Sequence, residues 1–179
     1  MADAQFSEGE LADGPSGLAT VGVCIFALCM LYFQLLTAAA WVPLLDSANL
    51  ALHEAGHPLL GLILPSLTVY GGTLFQLLFP LAVIRHFHRL HRADGVAVGQ
   101  IWLGENMLNI GRYMADARTQ VLPLVGGGEH DWTEIFSRWH VLGADRFIGG
   151  AWRVAGVIII IWACWRMVMR YVAALEEGD

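Results

Sequence analysis

The sequence predicts an all-α, polytopic membrane protein with about five transmembrane helices and one short interfacial helix. Three observations lead there. Hydrophobic residues make up 56% of the 179 and charged residues 15%, well below the roughly 25% charge usual in soluble domains. Mean hydropathy is +0.55. Several apolar runs approach the roughly 20 residues that a helix needs to cross a hydrocarbon core. The same composition excludes other classes. A net charge of −6 and a pI near 5.5 offer nucleic acid no basic face. Cys24, Cys29 and Cys164 lie in apolar runs and form no CxxC pair, so neither a disulfide framework nor a thiolate metal site is indicated.

Residues 1–16 read as an acidic tail, with Asp3, Glu8, Glu10 and Asp13 and no Arg. They lack the basic start of a secretory signal peptide. Residues 17–179 read as a single transmembrane helical domain. From Leu18 to Leu45 there is no charge, which marks a first span ending at Pro43 and Asp46. A second apolar run goes from Ser47 to Leu64, with Ser47 or Asn49 as its cap and Pro65 after it. A third opens at Gly71-Gly72, contains Gln76 and Pro80, and ends in the only basic cluster, Arg85 to Arg92.

A fourth segment, Gly95 to Leu122, has helical spacing but is unusually polar. Pro123 to Asp131 reads as a loop carrying Gly126-Gly127-Gly128. Trp132 to His140 reads as the interfacial helix, with Trp132 and Trp139 in the aromatic belt. The last span covers Phe147 to Val168, where Ala151 and Ala155 offer a small-xxx-small packing face.

Arginine placement predicts orientation. The Arg85–Arg92 loop belongs in the cytoplasm, as do Arg166 and Arg170, and Gly126 to His140 belongs on the other side. An odd number of spans then puts the N-terminus outside. The expected location is a bacterial inner membrane, with membrane lipid as the immediate partner. His86, His88 and His91 alternate with Arg, which suits anionic headgroups better than a metal ion.

One motif carries chemistry. Residues 53–57 read His-Glu-Ala-Gly-His, an HExxH pattern. On a helix, residues i and i+4 share a face, so His53 and His57 can hold one Zn²⁺. Glu54 is then placed to act as general base on a metal-activated water. Three ionisable groups in an apolar run are costly and mark a functional site. A catalytic zinc usually takes three protein ligands. Asn106, Asn109, Tyr113, Asp116 and Gln120 recur at steps of three and four, a polar stripe that must face protein or a water-filled cavity. Asp116 is the only carboxylate on that stripe and the expected third ligand. The alternative for Asp116 is an ion pair with Arg112 or Arg118. Asn109, Tyr113 and Gln76 are expected to line the site or meet substrate. Glu129-His130-Asp131 supplies a second candidate. There His130 and Asp131 could fold back over the site as ligand or lid, since the glycines permit unusual backbone angles; for Asp131 the favoured reading is the cap of the helix beginning at Trp132, and His130 remains open.

The motif His53-Glu54-Ala55-Gly56-His57, set in an apolar run, resembles the site-2 protease family of intramembrane zinc metallopeptidases. The order Asn109 then Asp116 resembles that family's third-ligand segment. The resemblance implies a polytopic fold, zinc held by His53, His57 and a distant Asp, and cleavage of membrane-embedded peptides. The expected function is therefore a zinc-dependent membrane metallopeptidase with Glu54 as base. The rival is an accessory subunit of a larger membrane complex with a structural or vestigial metal site. A zinc lipid or amide hydrolase is a third option, since nothing in the sequence fixes the scissile bond.

Overall fold

The computed structural model describes residues 14–125 and 129–177. Most of the expected acidic tail, residues 1–13, and the three glycines of the loop lie outside them. The described residues form six α-helices and two short 3₁₀ turns, with no strand among them. The helices are α1 (Gly17–Leu36), α2 (Leu45–Ile63), α3 (Gly71–Arg89), α4 (Ala93–Ala115), α5 (Asp131–Arg138) and α6 (Asp145–Glu176). The 3₁₀ turns are Pro65–Tyr70 and Leu142–Ala144. Three helical stretches are long and apolar enough to cross a membrane: Gly17–Leu36, Pro65–Arg89 and Leu142–Glu176. They mark an integral membrane protein.

Local chemistry sets the boundaries. Ser16 caps α1, its Oγ accepting from the Ala19 N–H at 3.2 Å. The expected first span is too long: α1 stops at Leu36, and residues 37–44 form a connection. Lack of charge does not distinguish an apolar helix from an apolar loop, and Pro43 disfavours helical backbone just before it. Neither Ser47 nor Asn49 caps α2. That helix begins earlier, at Leu45, where Asp46 Oδ2 accepts the Val42 N–H at 2.5 Å.

α4 and α6 form the spine. Gly104 faces Gly156 and Gly111 faces Gly149 so closely that an added Cβ would meet the opposing backbone. Small residues permit this approach between membrane helices. The expected Ala151/Ala155 face does not supply it; Ala151 is exposed. α1 packs on the spine through Val23, Ala27 and Met30, against Ile101, Leu108, Ile160 and Met167. A second core lies under α5, where Trp132, Ile135 and Phe136 meet Val69, Ile110 and Met114. Trp132 is thus a core residue rather than part of an interfacial belt, while Trp139 is 52% exposed.

Contacts fix which ends lie together. At one end, Gly14 abuts Ala174 and Gly17 meets the Tyr171 ring. A cavity of about 550 Å³ there is shared by Ser16, His91, Asp94, Arg170 and Glu177. At the other end, Arg112 donates to the carbonyls of Ala39 and Ala40 at 2.6 and 3.1 Å. Arg138 of α5 donates to the Ser66 carbonyl at 2.8 Å. Hence α1, α3, α4 and α6 each run between the two ends. α2 does not. Its side-chain contacts with α4 extend from Trp102 to Tyr113, so it covers one half of the bundle.

This overturns the expected position of the N-terminus. The start of α1 lies at the same end as the Arg85–Arg92 cluster and the end of α6. Treating α2 as a full crossing produced the odd count. Cysteines introduced as Ser16→Cys and His91→Cys should label from the same side of intact cells, and Glu134→Cys from the opposite side. Opposite labelling of positions 16 and 91 would refute this arrangement.

Candidate metal centre

α2 presents His53 and His57 on one face, their ring centroids 5.0 Å apart. The third group is Asp131, the first residue of α5. Its Oδ2 lies 2.8 Å from His53 Nε2 and 3.4 Å from His57 Nε2. One ligand atom from each of the three falls within 4.8 Å of the other two, a grouping able to hold a metal ion. His53 is buried, and His57 and Asp131 are partly so.

The remaining ring nitrogens are also engaged. His53 Nδ1 lies 3.2 Å from Gln76 Oε1, and His57 Nδ1 lies 3.0 Å from the Thr68 carbonyl. Both partners are acceptors, so each Nδ1–H donates to them, and Nε2 is the nitrogen that each ring turns toward Asp131. Outer hydrogen bonds of this kind orient metal-ligating imidazoles and tune their basicity. The donor set and its supports therefore fit a cation. Gln76→Ala should weaken metal binding by about 10–100-fold without unfolding the protein; metal titration followed by calorimetry would measure it.

Close packing puts these groups together. Gly56 and Gly71 bring α2 against the start of α3, and any Cβ at Gly72 would strike the His53 ring. Tyr113 positions α5, its hydroxyl accepting the Asp131 N–H at 3.2 Å. The tie is reinforced by Thr133 Oγ1, which donates to the Ala117 carbonyl. Burial alone would raise the Asp131 pKa. Its hydrogen bonds to His53 and His57 outweigh that effect and hold the carboxyl below its ordinary value.

Asp116, the expected third ligand, is absent from the cluster. It ends α4 and accepts from Thr119 Oγ1 at 2.6 Å and from the Val121 and Leu122 N–H groups at 3.0 Å each. Burial opposes its ionisation, but these donors depress its pKa overall. The alternative ion pairs do not form either. Arg112 serves the Ala39 and Ala40 carbonyls, and Arg118 pairs with Asp145 at 2.6 Å.

His130 takes the cap for which Asp131 is the favoured candidate, and Asp131 joins the two imidazoles instead. His130 caps α5, its Nδ1 accepting from the Thr133 N–H at 3.3 Å. Its buried ring lies against Tyr113, with centroids 4.1 Å apart, and its Nε2 stands 3.7 Å from Asp116. Burial lowers its pKa despite the two nearby carboxylates. The helix therefore starts at Asp131, and that side chain is free to turn to α2.

Comparison with protein-family models, curated proteins and solved structures finds no match.

A cavity of about 640 Å³ opens beside the cluster. His53, Glu54, His57 and Asp131 lie on its wall, together with Gln76, Asn109 and Tyr113. Apolar surface comes from Trp41, Leu50, Val69, Ile110 and Leu124. Asn109 reaches Asp46 rather than the imidazoles, donating to Asp46 Oδ1 at 3.2 Å. Gln120 lies outside, exposed and bonded to Thr133 Oγ1 at 3.0 Å. The arrangement can hold a cation at one wall of a chamber lined by both polar and apolar groups, with the Glu54 carboxylate one residue from a ligand.

Proposed function

We propose that the protein is a zinc-dependent membrane hydrolase of the metallopeptidase kind, with a peptide segment from the membrane as substrate. The observation that carries this reading is the convergence of His53, His57 and Asp131 beside Glu54 on the wall of one chamber. The resemblance of the HExxH segment to site-2 proteases supports the same reading. Two imidazoles and a carboxylate suit zinc, and the HExxH spacing with its adjacent Glu54 favours it.

His53, His57 and Asp131 would hold the ion, with Gln76 and Thr68 fixing the two rings. Bound there, zinc would bring the pKa of a coordinated water toward about 7 and polarise a carbonyl. Glu54 takes a proton from water in the chamber and returns it to the leaving amine, the general acid–base role of a carboxylate beside its substrate. Leu50, Val69, Ile110 and Leu124 exclude bulk water and seat an apolar chain. Tyr113 keeps Asp131 in place through its backbone N–H. The membrane is a bacterial inner membrane in this reading. The end carrying Arg85, Arg89, Arg92 and Arg170 faces the cytoplasm, and the chamber opens toward the opposite side.

The test compares membrane proteomes of a host expressing wild type or Glu54→Gln. A membrane peptide that accumulates uncut only in the variant supports hydrolysis. Identical proteomes, with the protein in a fixed complex, would favour the accessory-subunit alternative.

A further inference from the structure

The structure buries a second pair of acids away from the HExxH residues. Asp46 and Glu105 are 1% and 0% exposed, where α1, α2 and α4 meet. Every donor that reaches them is neutral. Gln34 Nε2 serves both, at 2.6 Å to Glu105 Oε1 and 3.3 Å to Asp46 Oδ2. Asn49 Nδ2 does the same, at 2.9 Å to Glu105 Oε2 and 3.4 Å to Asp46 Oδ1. Asn109 Nδ2 and the Val42 N–H complete the shell of Asp46.

The charged groups on the surrounding elements are turned elsewhere. Arg112 of α4 donates to Ala39 and Ala40. Arg153 of α6 lies against Gly111. His53 and Glu54 of α2 belong to the metal centre. α1 brings Gln34, and the 37–44 connection brings only the Val42 N–H. α3 brings no charge to this side, its buried polar group being Gln76. Among the described residues no ion pair involves Asp46 or Glu105. Ionising both of two buried carboxylates bridged by the same two amides is strongly disfavoured without a resident positive charge.

Amide orientation indicates which charge. Trp102 Nε1 can only donate, and it reaches Asn49 Oδ1 at 2.8 Å. Asn49 must therefore turn its NH₂ group toward the acids. Asn106 follows, its Nδ2 approaching Asn49 Oδ1 at 3.5 Å. Its fully buried Oδ1 is left without a partner. The network is thus short of hydrogens. The amides surround the carboxylates with N–H groups, whereas a hard metal cation needs about six oxygens.

We propose that Asp46 and Glu105 form a proton-binding site, one proton held by the pair and exchanged with water in the metal-centre cavity. Asp46 and Asn49 both lie on the wall of that cavity. The proton enters from cavity water onto a carboxylate oxygen and leaves by the same route, with no other bond made or broken. This site stands whether or not the metal centre turns over.

Infrared spectroscopy of the full chain in detergent tests it. Wild type at neutral pH should show a protonated-carboxyl band that is unchanged when sodium replaces potassium. Glu105→Gln and Asp46→Asn should each change that band in frequency or amplitude, since each removes one of the two carboxyl groups between which the proton is held, and the double variant should remove it. If one variant fails to fold, the other carries the comparison. A wild type without the band overturns the proposal, as does a band left unchanged in a folded variant. Stabilisation by sodium with no protonated carboxyl would make the site a metal-cation site instead.

Discussion

Asp131→Ala should abolish stoichiometric metal binding by the purified protein, whereas Asp116→Ala should leave it intact. Asp131 Oδ2 is the one oxygen that faces both imidazoles. Its loss leaves two ligands where a zinc site needs three or four. Outer-sphere changes already cost about 10–100-fold in affinity, so loss of a direct ligand should exceed the upper end of that range. Asp116 holds the chain that leaves α4 through three hydrogen bonds. Its removal should cost about 1–2 kcal/mol of stability, as for other capping groups, with the metal still bound. Metal content by elemental analysis, read beside thermal unfolding, separates the two roles. The reverse pattern would return Asp116 to the ligand set and remove Asp131 from it.

Glu54→Gln should keep metal and fold while lowering hydrolysis by about 10²–10⁴-fold, the usual worth of general acid–base assistance. Glu54 lies on the cavity wall but outside the cluster of ligand atoms. The amide preserves its size and hydrogen-bonding reach and removes only its basicity. Loss of metal in this variant would make Glu54 a ligand, and unchanged turnover would take the base role from it.

The metal pair was legible because its geometry is local. Four residues along a helix always bring His53 and His57 together, whatever the rest of the chain does. The polar stripe of α4 was legible for a similar reason, and Asn106 and Asn109 do face inward. Their partners are Asn49 and Asp46, which a periodicity argument restricted to one helix cannot name. The cap reading of Asp131 outranked its reading as a ligand because capping preference alone does not choose between adjacent candidates. His130 took the cap, and the choice depends on Tyr113 and Asp116, neither of them near in sequence. The orientation of the N-terminus failed at α2. Apolar residues of the right number do not reveal whether a helix spans the full depth or half of it. The polar α4 runs the full length of the bundle because α1, α2, α3 and α6 shield it from lipid.

The position of Asp131 on α5 also has a temporal meaning. It lies 78 residues after His53, beyond α3 and α4 in the chain. During synthesis the HExxH helix is finished long before its carboxylate partner exists, and the partner arrives only after two further helices have been laid down. The centre therefore closes only once α5 has docked against Val69, Ile110 and Met114. A nascent or truncated chain ending before α5 would have the histidines without the means to close the site. The appearance of α5 becomes the event that arms the centre.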